Sequence, residues 1–216
     1  MHGNHVASEV QIILGAMCAA LTFSVSQRLT TLVARDIGRA PVRFPRWSYV
    51  GAVIVGAVSL ARNENESAAS TVLVAIVTAL MLVQAPLDLA MRRLSRSVTL
   101  CAVAATAVVV ALTAVTDDDL AGAAVAAAVA IAVAAVYALL HRWSPSSLGW
   151  GDVLLVVPLA LAVGSAALDR VAVWQLLASA TGALHALVAR RLRGTTSIPF
   201  GPHLLVAAWL VLLASV

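Results

Sequence analysis

Hydrophobic residues in this chain gather into long runs separated by short polar breaks. Eight runs fall near 9–34, 47–61, 70–90, 98–115, 120–141, 152–168, 171–189 and 200–216. A membrane-spanning helix needs about 20 residues, within a range of about 17–25. The runs starting at 47, 152 and 200 are short, so they qualify as partial spans or by borrowing flanking residues. The pattern predicts an all-α polytopic membrane protein, a bundle of about eight transmembrane helices. Six or seven spans also fit the run lengths.

Composition agrees. The chain is 62% hydrophobic and 11% charged, with a mean hydropathy of +0.98. A soluble domain is nearer half apolar and about a quarter charged. Residues 1–216 therefore read as a single transmembrane domain with little else. The first run is too long for the core of a secretory signal, and no basic start precedes it, so it is taken as a retained helix. An isoelectric point near 10.0 raises the question of nucleic acid. However, lysine is absent and the arginines sit in short breaks between apolar runs. Charge placed that way reads as cytoplasmic anchoring. The lipid bilayer is thus an expected partner and nucleic acid is not.

The charges also test the span count. With the N-terminus outside, the first, third, fifth and seventh connections lie in the cytoplasm, and twelve of the fourteen arginines fall there. Only Arg62 and Arg170 fall outside, together with Glu9, Glu64, Glu66, Asp117, Asp118, Asp119 and Asp169. The arginine bias carries the orientation, because acids are weak topology signals. Three acids remain on the cytoplasmic side: Asp36, Asp88 and Asp152. Asp36 lies among arginines, where a solvated ion pair is the default. Asp88 closes the third run and Asp152 opens the sixth, so both are expected at the cytoplasmic boundary at similar depth. A carboxylate there is costly unless it has a partner or a function.

Two carboxylates held together do not both ionise easily and share a proton near neutral pH. One then serves as base toward water while the other donates to a scissile carbonyl. This is the chemistry of an aspartic protease, and it requires no metal and no cofactor. Asp88 and Asp152 are the candidate pair. Gly149 and Gly151, flanking Trp150, permit close approach of backbone or substrate to Asp152. Alternatively, they simply cap and pack a helix. Trp143 and Trp150 suit the membrane–water interface. Ile198, Pro199, Phe200, Gly201 and Pro202 interrupt regular helix at the head of the last run. Irregular backbone at that depth is tolerated where it is buried or lines a wet cavity. It offers amides and carbonyls to an unwound substrate, or it is only a loop that restarts a helix.

These three stretches resemble the signatures of the type IV prepilin and archaeal preflagellin peptidases. Gly149-Trp150-Gly151-Asp152 is similar to their GxGD element. Asp88 through Thr99 resembles their other motif, an aspartate, a basic stretch and then I/L-P-N/D-x-L-T. Ile198 to Pro202 matches their I-P-F-G-P element, and the order is that of the family. The resemblance covers roughly Leu80 to the end. It implies a membrane-embedded aspartic endopeptidase of the inner or plasma membrane. Such enzymes cut the basic leader from prepilin-like precursors at the cytoplasmic face. Asp88 and Asp152 would be catalytic, with the glycines and the 198–202 element supporting them or binding substrate. Ser95 and Arg96 stand where the family usually has Pro and Asn or Asp, and Leu154 stands where Lys is common; these departures bear on substrate preference and activity. The paired cysteines of the longer bacterial enzymes' soluble insertion are absent, so their methyltransferase activity is not expected.

Other features have plainer readings. Cys18 and Cys101 lie in apolar segments without a CxxC neighbour and read as small buried hydrophobes. His141, His185 and His203 lack ligand spacing, so packing or interfacial roles outweigh a metal site. Asp117–Asp119 reads as a solvated turn that also caps the following helix. The Ala-rich run 120–141 reads as a close-packing element. A small proton- or ion-coupled transporter would also hold intramembrane carboxylates, although no inverted repeat is visible. An inactive relative acting in pilus or secretion assembly is the remaining alternative. The natural substrate and the oligomeric state are left open.

Overall fold

A computed structural model describes residues 67–145, 148–194 and 198–214, together with scattered helical positions between Met17 and Val58. The runs expected at 9–34 and 47–61, and the arginine-rich segment between them with Asp36, otherwise lie outside the described residues. So does Cys18. Six helices are bounded: α1 Ala68–Met91, α2 Arg96–Thr116, α3 Leu120–Trp143, α4 Trp150–Ala166, α5 Leu168–Arg193 and α6 Gly201–Leu213. Each coincides with one predicted run, and no strand occurs among the described residues.

Four of these helices, α1, α2, α3 and α5, are long and apolar enough to cross a membrane, so the chain has the character of a multi-pass membrane protein. The other two are shorter. At about 1.5 Å per residue, the 13 residues of α6 rise only about 20 Å. Eight full spans are therefore not reproduced among the described residues.

Helix α4 is the hub. It packs against α1, α2, α3, α5 and α6. Its Leu155, Val156, Leu159, Ala160, Ala162 and Val163 are all fully enclosed. Burial on every side explains why this short segment carries no amphipathic pattern. The peripheral helices instead turn Leu112, Val115, Ile131 and Leu176 outward. Apolar exposure of that kind suits lipid as a solvent and would be a liability in water. Only 17% of the apolar stretch of α3 is buried. The expected packing role of this Ala-rich helix is confined to one face, where Ala126 and Ala130 meet the core. Cys101 is free and exposed on α2. The expectation of a buried thiol fails there, because α2 turns this position away from its neighbours.

Local sequence explains where the helices start and stop. Ser67 caps α1 by accepting from the Ser70 amide at 3.2 Å. Asp119 caps α3 by accepting from the Gly122 amide at 2.9 Å, as expected of the acidic turn. Arg92 ends α1 in the left-handed conformation, φ 52°, and Gly194 ends α5 with φ 64°. The short connections make successive helices antiparallel. The end of α1, the start of α4 and the start of α6 consequently meet at one end of the bundle.

Candidate active site

That end gathers the functional candidates. Asp88 lies one turn before the end of α1 and Asp152 in the first turn of α4, and both are buried. They line a common cavity of about 230 Å³ with Arg92, Arg93, Leu94, Gly149 and Gly151. The two carboxylates are within electrostatic reach of one another, and Arg92 is within reach of Asp88. Water occupies about 30 Å³ in the liquid, so the cavity admits water together with a few peptide atoms.

Each carboxylate is held by a backbone amide. Asp88 Oδ2 accepts from the Gly201 amide at 3.1 Å, across 113 residues of chain. Asp152 Oδ2 accepts from the Gly149 amide at 3.1 Å. Gly149 is the N-cap of α4 and Asp152 its third residue. This is the reach-back half of a capping box, placed where the positive end of the helix dipole favours an acid. Asp152 therefore has a helix-capping role regardless of any chemistry.

The glycines are explained by what lies against them. A Cβ at Gly201 would stand 2.8 Å from Asp88 Oδ2. One at Gly151 would stand 3.1 Å from Leu94 Cβ. One at Gly149 would stand 3.3 Å from Asp152 Oδ2. Gly149 and Gly151 thus do cap and pack, as the plainer reading held, and they do so at the rim of the shared cavity. The amide of Gly201 is not left open to a substrate, because it serves Asp88. Pro202, at the second position of α6, lacks only an amide that would be unpaired in the first turn anyway.

Further contacts are made outside the cavity lining, and of their residues Tyr137 and Gln175 carried no sequence signal. Phe200 stacks with Tyr137 of α3, ring centroids 6.5 Å apart. It lies so close to α5 that a Cβ at Gly182 would stand 2.7 Å from its ring. The Tyr137 hydroxyl donates to Gln175 Oε1 of α5 at 2.7 Å. His185 and His203 meet at 2.9 Å between their ring nitrogens, although sequence spacing gave no reason to pair them. His141 Nδ1 lies 2.7 Å from the Leu148 carbonyl, its ring 5.5 Å from that of Trp150. Trp143 and Trp150 are both exposed at this end, in keeping with an interfacial position. Among the described residues no cluster of three or more His, Cys, Asp or Glu has metal-binding geometry. Ile198 and Pro199 lead into Phe200 as half-buried irregular chain.

No protein-family model matches the chain, and neither does any curated protein or solved structure.

Proposed function

We propose that the chain is a membrane-embedded aspartic endopeptidase that removes the leader peptide of prepilin-like precursors. The observation that carries this reading is the shared cavity flanked by Asp88 and Asp152. Two carboxylates from different helices on one small shared cavity are what a water-activating pair requires. One deprotonated carboxylate takes a proton from water as the water attacks the scissile carbonyl. The other, protonated, donates toward that carbonyl oxygen. The 198–202 element supports the reading in a specific way, since its glycine amide holds the first aspartate.

Arginines 92, 93, 96, 142, 190, 191 and 193 lie at the aspartate-bearing end of the described bundle, while only Arg170 lies at the other. The positive-inside rule then puts Asp88 and Asp152 at the cytoplasmic face, with the N-terminus outside if all eight predicted runs span. The location would be the inner or plasma membrane and the partners prepilin-like proteins.

A proton- or ion-coupled transporter is the second reading, favoured by the same intramembrane carboxylates. The test is to reconstitute the purified protein in vesicles with a candidate prepilin and a pH-sensitive dye. Leader removal without proton flux is the expected result. Proton flux without cleavage would overturn the peptidase proposal.

A further inference from the structure

We infer that Gln84 is a positioning residue for Asp88, acting through a polar clamp on the α1–α2 turn; this inference rests on the peptidase reading for its catalytic consequence. Gln84 is fully enclosed and lies four residues before Asp88, hence on the same face of α1. A primary amide buried in an apolar helix is costly unless its hydrogen bonds are made. Here they are. Gln84 Oε1 accepts from the Ser95 amide at 2.9 Å. Gln84 Nε2 donates to the Ser95 carbonyl and to Thr99 Oγ1, each at 2.8 Å. Because the Ser95 amide only donates and its carbonyl only accepts, the orientation of the Gln84 amide is determined.

The clamp reaches the site through Leu94, the residue before Ser95. The Leu94 side chain is wedged between two glycines. Its Cδ1 is 3.2 Å from where a Gly151 Cβ would stand, and its Cδ2 is 3.4 Å from where a Gly201 Cβ would stand. Gly151 precedes Asp152, and the Gly201 amide holds Asp88. Fixing Ser95 therefore fixes the wedge that spaces the starts of α4 and α6, and with them the two carboxylates.

Ser95 has φ −75°, within the range that proline imposes, about −65 ± 15°. By φ, a proline would fit position 95. Its missing N–H would leave Gln84 Oε1 without its donor. Positions 84 and 95 thus form a matched pair. An amide at 84 requires an N–H at 95, and an apolar residue at 84 suits a proline at 95.

The test compares the full-length wild type with Gln84→Met, Ser95→Pro and the double variant, all in the same detergent. Three quantities are read: kcat and KM on a prepilin, the unfolding midpoint, and the infrared carboxyl band that vanishes in Asp88→Asn. Each single variant should lower kcat roughly 10- to 100-fold, as small misplacements of a reacting group do, with KM little changed. Each should also shift the Asp88 band. In the double variant the effects on kcat and band position should be smaller than the sum of the two singles, without full recovery, because the Ser95 hydroxyl that caps α2 is lost with either proline variant. Single variants that lower the midpoint but leave the band unmoved would overturn the inference. Additive effects in the double variant would overturn it as well. If the wild type cleaves no prepilin, the peptidase reading fails, and the infrared band still decides whether Gln84 positions Asp88.

Discussion

Gly201→Ala is the most informative single substitution, because its effect can be worked from one contact. The added Cβ would stand 2.8 Å from Asp88 Oδ2 and 3.4 Å from both Asp88 Cγ and Leu94 Cδ2. A carboxylate one carbon from the backbone has little freedom to yield, and α6 is held by the Trp174 Nε1 bond to the Leu204 carbonyl at 2.9 Å. Asp88 must therefore move by several tenths of an ångström, which breaks its 3.1 Å bond to the Gly201 amide. A hydrogen bond to a charged group is worth about 1.5–3 kcal/mol. At roughly 1.4 kcal/mol per tenfold, kcat should fall about 10- to 100-fold. The assay is single-turnover cleavage of a purified prepilin, run below the unfolding temperature of every variant. Gly164→Ala is the control, since its Cβ would meet Val171 and Ala126 at 3.6 and 3.8 Å, ordinary contact distances. Gly201→Ala cleaving at the wild-type rate would refute the argument that this amide positions Asp88.

Three other outcomes are expected. Gly182→Ala should destabilise the protein by about 1–3 kcal/mol through overpacking against the Phe200 ring, seen as a lower unfolding midpoint in detergent. Trp174→Phe should cost about 0.5–1.5 kcal/mol by the same measurement, because it removes the buried indole bond to the Leu204 carbonyl. Tyr137→Phe should cost about 0.6 kcal/mol, the average for interhelical hydrogen bonds in membranes, and no more than about 1.7, and double-mutant analysis with Gln175→Leu should show coupling.

Much of this architecture was legible in the amino-acid sequence. Long apolar runs mark helices, and the parity of short connections puts Asp88 and Asp152 at the same end. Parity depends on no contact, so it places even residues 64 positions apart. The acidic turn at Asp117–Asp119 likewise announced a cap, because capping is local. Long-range partnerships were not legible. The resemblance tied the 198–202 element to the aspartates in general, but nothing in the sequence singles out the Gly201 amide as the partner of Asp88, and nothing near His185 points to His203. Gln84 did carry a signal, an amide in an apolar helix, but its partner lies across a turn whose geometry the sequence does not state. Ser95 illustrates the same limit. As a departure from a motif it suggested altered substrate preference, whereas its backbone serves as both donor and acceptor to Gln84. The span count was least secure for α4 and α6, since a core helix enclosed by neighbours and a membrane span are equally apolar.

In the proposed reaction Asp88 and Asp152 act together on a peptide bond. Asp88→Asn and Asp152→Asn are the variants to compare, because asparagine keeps one oxygen able to accept from Gly201 or Gly149 and replaces the other by an NH2 group that cannot ionise. Purified wild type and both variants should be incubated with the same prepilin and the products weighed by mass spectrometry. A leader fragment and a mature fragment are expected from the wild type and intact precursor from each variant, with all three proteins folded alike. Normal processing by either variant would contradict the paired mechanism, leaving that aspartate no more than a structural group at a helix end.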